Sequence, residues 1–156
     1  MIPIASAVDQ NLTKYAQEAL EALDGVPLDD LNEWKPSAEL ADINTFYALA
    51  YHLVAAGEFW LLHACGGWPT NRDRPAEFVA RGSIDDLRAR YDKWLSDSRE
   101  VLAGLTEEDL GREVGVADRP DRFMLGERLL HTVAHSATHV GHLQIQRQLW
   151  DAEQKG

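Results

Sequence analysis

The 156-residue chain holds a single cysteine, Cys65. An internal disulfide framework is therefore excluded, and the usage fits a reducing cytoplasm. Basic residues are scarce: 15 Lys and Arg stand against 26 Asp and Glu, a net charge of -11. Affinity for nucleic acid comes largely from cationic side chains neutralising phosphates, so nucleic acid is not an expected partner. The same charge disfavours an anionic membrane surface. No stretch approaches 18 unbroken apolar residues, so no membrane span is expected. The start, MIPIASAVDQ, has neither a basic region nor a long apolar run, so no signal peptide is expected. Internal repeats, low-complexity tracts and the strict alternation of a half-buried strand are also missing.

What is present is helical periodicity. Apolar residues recur at helical spacing over 5–24, 44–64, 83–104 and 123–152. Gly25 and Pro27 stop the first stretch, Gly66 and Gly67 the second, and Gly104 the third. Ser83, with Asp85 and Asp86 behind it, is a helix cap, and Asn44 or Asp42 is a candidate cap for the second helix. Segment 25–43 reads as a loop with a short turn around Asp29–Glu33 and with Trp34 as a lid on the core end. Segment 105–121 reads as a loop with a turn at Thr106–Leu110. The expected fold is all-α: one domain, 1–156, forming a four-helix bundle. Segment 65–82 is long for a link between antiparallel helices. It is expected to cross over and leave the second and third helices parallel.

Chemistry concentrates in LLHTVAHSATHVGHLQIQRQLW, residues 129–150. Four of the six histidines lie there: His131, His135, His139 and His142. At about 100° per residue they fall within roughly 80° of one another. Ile145 and Leu149 fall within or beside that stripe, so the imidazoles are expected to face apolar surroundings. Buried polar groups need partners, and a divalent ion is one. Histidines at i and i+4 can reach one ion from adjacent turns. His52, near the middle of the second helix, can add a third ligand from the facing helix of a bundle. Three protein ligands leave a position open, the pattern of catalytic rather than structural sites. A polar core network of the same histidines is the bland alternative.

Other candidates have simpler explanations. His63 lies eleven residues beyond His52, about 16 Å along an ideal axis, so the two cannot share an ion. His63 reads as a satisfied side chain and Cys65 as a small buried hydrophobe. His131 and His142 stand between ligand and bystander. Glu127, one turn before His131, is either a carboxylate bracing an imidazole or a solvated helix start.

These residues resemble the DinB-like superfamily, which includes YfiT-type proteins and mycothiol-dependent maleylpyruvate isomerases. WKP followed by NTFYALAYHLVAAGEFWL is similar to the family's tryptophan–basic–proline turn and histidine-bearing helix. LLHTVAHSATHVGHLQIQRQL is similar to its His-x-x-x-His-x-Gly segment followed by an arginine. The resemblance implies a metal triad of His52, His135 and His139, with Gly141 as the small residue and Arg147 as the arginine. The family commonly has Gln at His142 and often an acidic residue at Ser136.

The resemblance further implies a divalent metal, Zn or Ni, and frequent dimers. It implies thiol-dependent transferase or isomerase chemistry on a small-molecule substrate, with a low-molecular-weight thiol as cofactor. The competing expectation is a non-catalytic stress-response or ligand-binding bundle, its metal structural or absent. Apolar residues on nearly every helix quadrant also predict a homodimer.

Overall fold

A computed structural model describes residues 1–37, 43–116 and 120–155. Six helices and a small ribbon follow one another. They are α1 (Pro3–Leu23), α2 (Leu28–Glu33), α3 (Phe46–Gly57), α4 (Arg74–Glu77), α5 (Ile84–Ala103), strands β1 (Glu113–Gly115) and β2 (Arg122–Met124), and α6 (Leu125–Glu153). Directly after α3 the chain continues as a π-helix over Glu58–Cys65, and a 3₁₀ turn covers Glu108–Gly111.

The four long helices, α1, α3, α5 and α6, form the bundle. α1 and α3 lie on opposite sides, each packed against both α5 and α6. The core is mostly aliphatic, with Trp94, Tyr91 and Phe46 as its largest fully buried side chains. Ser83 caps α5 in a reciprocal box with Asp86, the pairing that satisfies two otherwise orphan donors. Gly25, at φ +73°, turns the chain out of α1. No helix among the described residues is long and apolar enough to cross a membrane.

The crossover expectation is met. Contacts between α3 and α5 run in the same order along both chains. Arg90 pairs with Glu58 and stacks on Tyr51. The Tyr91 hydroxyl donates to the Ala50 carbonyl. Further along, Gly57 lies against Trp94 and Gly66 against Val101. Rising numbers on both sides mean parallel helices. α6 opposes α3 instead, since Gln146 bonds the Asn44 carbonyl while His131 packs on Trp60.

Three expectations change. The cap of α3 is Thr45, whose hydroxyl accepts from the Ala48 amide; Asn44 is not the cap, and Asp42 lies outside the described residues. The second helix is not α-helical to its end, because the π segment takes over after Gly57. A Cβ at Gly57 would overlap the Trp94 indole, so glycine lets α5 approach at the point where the helix widens. Lastly, 105–121 is not all loop. β1 and β2 pair antiparallel with Val114 opposite Phe123, a ribbon too short to show an alternating pattern. It lies at the start of α6 and against the π segment, outside the helix layers.

Candidate metal centre

α3 carries His52 and α6 carries His135 and His139. The antiparallel crossing brings the three rings together. Ring centroids lie 5.2 Å apart for His52 and His135, 4.8 Å for His52 and His139, and 4.4 Å for His135 and His139. The Nε2 atoms of His135 and His139 are 3.2 Å apart. One ligating atom from each of the three residues falls within 4.8 Å of the others. The sequence placed all three correctly in one cluster.

The orientation of the stripe differs from expectation. The buried face of α6 comprises Leu129, Thr132, Ser136, Val140, Leu143, Gln146 and Trp150. Its centre lies about a quarter-turn from the histidines. The histidines therefore sit on the seam between α6 and α3 rather than pointing into the core. Ile145 and Leu149, expected to be inside, are 59% and 45% exposed.

A residue the sequence analysis missed braces the cluster. Glu77 is 2% exposed, and its Oε2 accepts from His52 Nδ1 at 2.7 Å. It arrives on α4, a single turn started by Asp73 as cap and Pro75 in the first turn. Arg72 grips the same carboxylate with two bonds, 2.5 Å from Nε and 2.9 Å from Nη2. Burial alone would raise the Glu77 pKa, but the bonds from Arg72 and His52 outweigh it and hold it down at about 2. A carboxylate on Nδ1 leaves Nε2 of His52 as the atom facing the cluster. DRP preceding AEF was the available signal: a capped helix start that projects a glutamate from the crossover.

Burial is the main reason the other two rings resist protonation. It pushes His135 down to about 3, helped by the neighbouring His139 and His52. It pushes His139 down to about 4, helped by His52 and His142. Both imidazoles are neutral at pH 7, with lone pairs free to bind a cation. The Nδ1 of His139 is buried without a hydrogen-bond partner among the described residues.

The remaining candidates are placed plainly. His63 bonds the Trp68 carbonyl through Nδ1 at 2.6 Å and stacks near Phe59, outside the cluster. His131 packs edge-to-face on Trp60, its ring centroid 5.9 Å from that of His135, and burial lowers its pKa. His142 is exposed, its ring 5.4 Å from that of His139. Glu127 is a helix-start residue: its carboxylate accepts from the Met124 amide and does not brace an imidazole. Cys65 is buried, and desolvation pushes its thiol up to about 12, so it is no nucleophile at neutral pH.

Residues 11–143 match the DinB superfamily. The chain belongs to that superfamily. None of the curated proteins matches it in sequence. Among solved structures, a conserved protein from Enterococcus faecalis is similar in fold, with a TM-score of 0.74 and 13% identity over 96% of this chain and 98% of that one. Arg147 lies just beyond the residues matched to the DinB superfamily, and the structure shows what it does. Its guanidinium donates to the Ala22 and Asp24 carbonyls and to Asp151. It satisfies orphan carbonyls at the end of α1 and ties α1 to α6. Arg147 is thus a fastening residue of the bundle. A Cβ at Gly141 would meet nothing within 4 Å, so local packing does not explain that glycine.

Proposed function

We propose that His52, His135 and His139 hold one divalent ion, Zn or Ni, and that the chain is a metal-dependent enzyme. Its chemistry is transfer or isomerisation of a small-molecule substrate with a low-molecular-weight thiol. The observation that carries the reading is the convergence of three imidazoles from two helices, one of them braced by a buried carboxylate. The donor set fits: three nitrogen ligands suit Zn and Ni, and an incomplete protein shell is the catalytic arrangement. When bound, such an ion supplies a lowered pKa for a coordinated water or thiol.

The chain's own contribution is positional and electrostatic. Glu77 fixes the tautomer and tilt of His52, and Arg72 fixes Glu77. That ion pair also matches the carboxylate bound to His52 with a cation, so the three neutral ligands and their brace present no net negative charge. A site of that kind favours an anionic partner such as a thiolate. The thiol-dependent part of the reading rests on membership of the superfamily. A homodimer belongs to the same proposal, supported by Met124 and Leu130, two exposed apolar side chains towards the start of α6. Light scattering at micromolar concentration tests it, and a monomeric mass overturns it.

The metal reading is tested by metal analysis of protein purified without an affinity tag. Wild type and His63→Ala should hold close to one ion per chain, and His135→Ala far less. Equal metal content in the two variants would favour the non-catalytic bundle. A thiol-conjugation screen on the loaded protein then tests the chemistry.

A further inference from the structure

Two pockets flank the histidine cluster, and they differ in kind. One, of about 440 Å³, is lined by charged side chains that are already paired, among them Arg72 with Glu77, Arg90 with Glu58 and Lys93 with Asp97. The other, of about 390 Å³, includes His139 and His142 in its wall and then runs along Leu49, Ile43, Ile145 and Leu149. No Asp, Glu, Lys or Arg lines it among the described residues.

One wall of the second pocket is held by a buried side chain. Gln146, 5% exposed, donates to the Asn44 carbonyl at 3.0 Å and pins the approach to α3 onto α6. Ile145 and Leu149 stand one turn apart along its edge. Around them α6 carries Gln144, Gln148 and Glu153 outward, so this apolar pair interrupts a polar surface. Large side chains left in water at the mouth of a concave site that reaches a candidate ligand are best explained by an apolar guest.

We infer that this groove binds the apolar, uncharged portion of the substrate, a short alkyl chain or a single aromatic ring, with Ile145 and Leu149 setting specificity. The inference rests on the proposed metal site for the reacting end and on the groove itself for the rest. A charged tail is disfavoured, because the lining among the described residues offers no Asp, Glu, Lys or Arg as counter-charge and burying an unpaired charge is costly. The volume lies near the lower end for small-molecule pockets, which limits the guest to a compact group.

The test uses cobalt-loaded protein titrated with two hydroxamates and followed by the visible spectrum. Hexanohydroxamate should bind at least about tenfold more tightly than acetohydroxamate, since each buried methylene adds affinity. A hydroxamate of equal length ending in a carboxylate should lose that gain. In the Ile145→Ser, Leu149→Ser double variant, acetohydroxamate binding should be unchanged and the gain from the longer chain should vanish. Thermal melting checks that this surface variant is folded. Equal affinity of the two ligands for wild type overturns the groove while leaving the metal reading intact. Failure to take up cobalt overturns the metal reading instead. The groove is then decided on metal-free protein by whether hexanohydroxamate saturably shifts the methyl resonances of Ile145 and Leu149, and no shift overturns it. A wild-type dimer that becomes monomeric in the double variant, with no chain-length gain, would assign the groove to a second copy of the chain.

Discussion

α5 and α6 are neighbours in sequence and partners in one bundle, yet they obey different rules. α5 turns Leu87, Tyr91, Trp94 and Leu102 inward, with Ser98 as its single buried polar residue. It leaves no large apolar side chain exposed. α6 breaks the pattern in both directions. It buries Thr132, Ser136 and Gln146 and exposes Leu130, Ile145 and Leu149. Helices that only support a fold agree with their own amphipathic pattern; departures gather where a protein does chemistry. α5 is scaffold, and α6 divides its circumference among core, histidine seam and groove.

The largest expected effect tests the scaffold side. Trp94→Ala removes a fully buried ring packed on Gly57 and should cost about 3–5 kcal/mol, read by urea unfolding. Ile145→Ala on α6 should change stability by less than about 0.5 kcal/mol. Similar losses for the two would erase the distinction between the helices.

That distinction also explains what was legible in the sequence. The four long helices were readable because apolar residues recur at helical spacing in each and glycines end the first three stretches; the Ser83 cap of α5 was legible too, while that of α3 was misplaced. The His52, His135 and His139 cluster was readable because i, i+4 spacing pairs His135 with His139 and the family resemblance singled out His52 on the facing helix. The direction of the histidine stripe was not, because α6 has apolar residues on two faces and the exposed ones, Leu130, Ile145 and Leu149, mimic a core. The π segment escaped because it depends on a tertiary contact, Gly57 against Trp94. Glu77 escaped because its role depends on where a crossover with little periodicity lands.

A pH titration of the metal-free protein sharpens the comparison from the α6 side. His135 and His139 have folded pKa values of about 3 and about 4, below the usual 6.5. The unfolded chain therefore binds protons that the folded chain refuses as pH falls below 6.5, and stability is lost in that direction. The loss should reach on the order of 2 kcal/mol by pH 5.5. Glu77 contributes in a separate window, through stability that is lost as pH falls from its usual 4.5 towards about 2. The His135→Asn, His139→Asn double variant should flatten the upper window. An unchanged slope would show that these rings are not held neutral by burial.

Glu77→Gln tests the brace. Gln keeps the shape but cannot match Arg72 or hold His52 with a charged acceptor. Zinc affinity should fall by about 10–100-fold, the usual cost of losing a partner of a ligating histidine. Competition with a chromophoric chelator measures it. An affinity within a factor of two of wild type would mean that Glu77 serves packing, not the cluster.

The smallest expected effect is the most discriminating about α6. Ser136 on α6 and Ser98 on α5 are each 1% exposed, and neither hydroxyl has a hydrogen-bond partner among the described residues. An unpaired buried hydroxyl carries an uncompensated desolvation cost, so removing it should be neutral or slightly stabilising. If both serines are present only for their small size where helices pack, Ser98→Ala and Ser136→Ala should each shift stability by no more than about 1 kcal/mol, and neither should change zinc affinity. Ser136 follows His135 directly, which makes this serine the sharper case. Its side chain lies on the buried face of α6, about a quarter-turn from the histidine seam, and that geometry predicts no influence on the metal. A several-fold drop in zinc affinity in Ser136→Ala alone would reverse the assignment. The hydroxyl would then serve the cluster, and the seam would extend further round α6 than its histidines show.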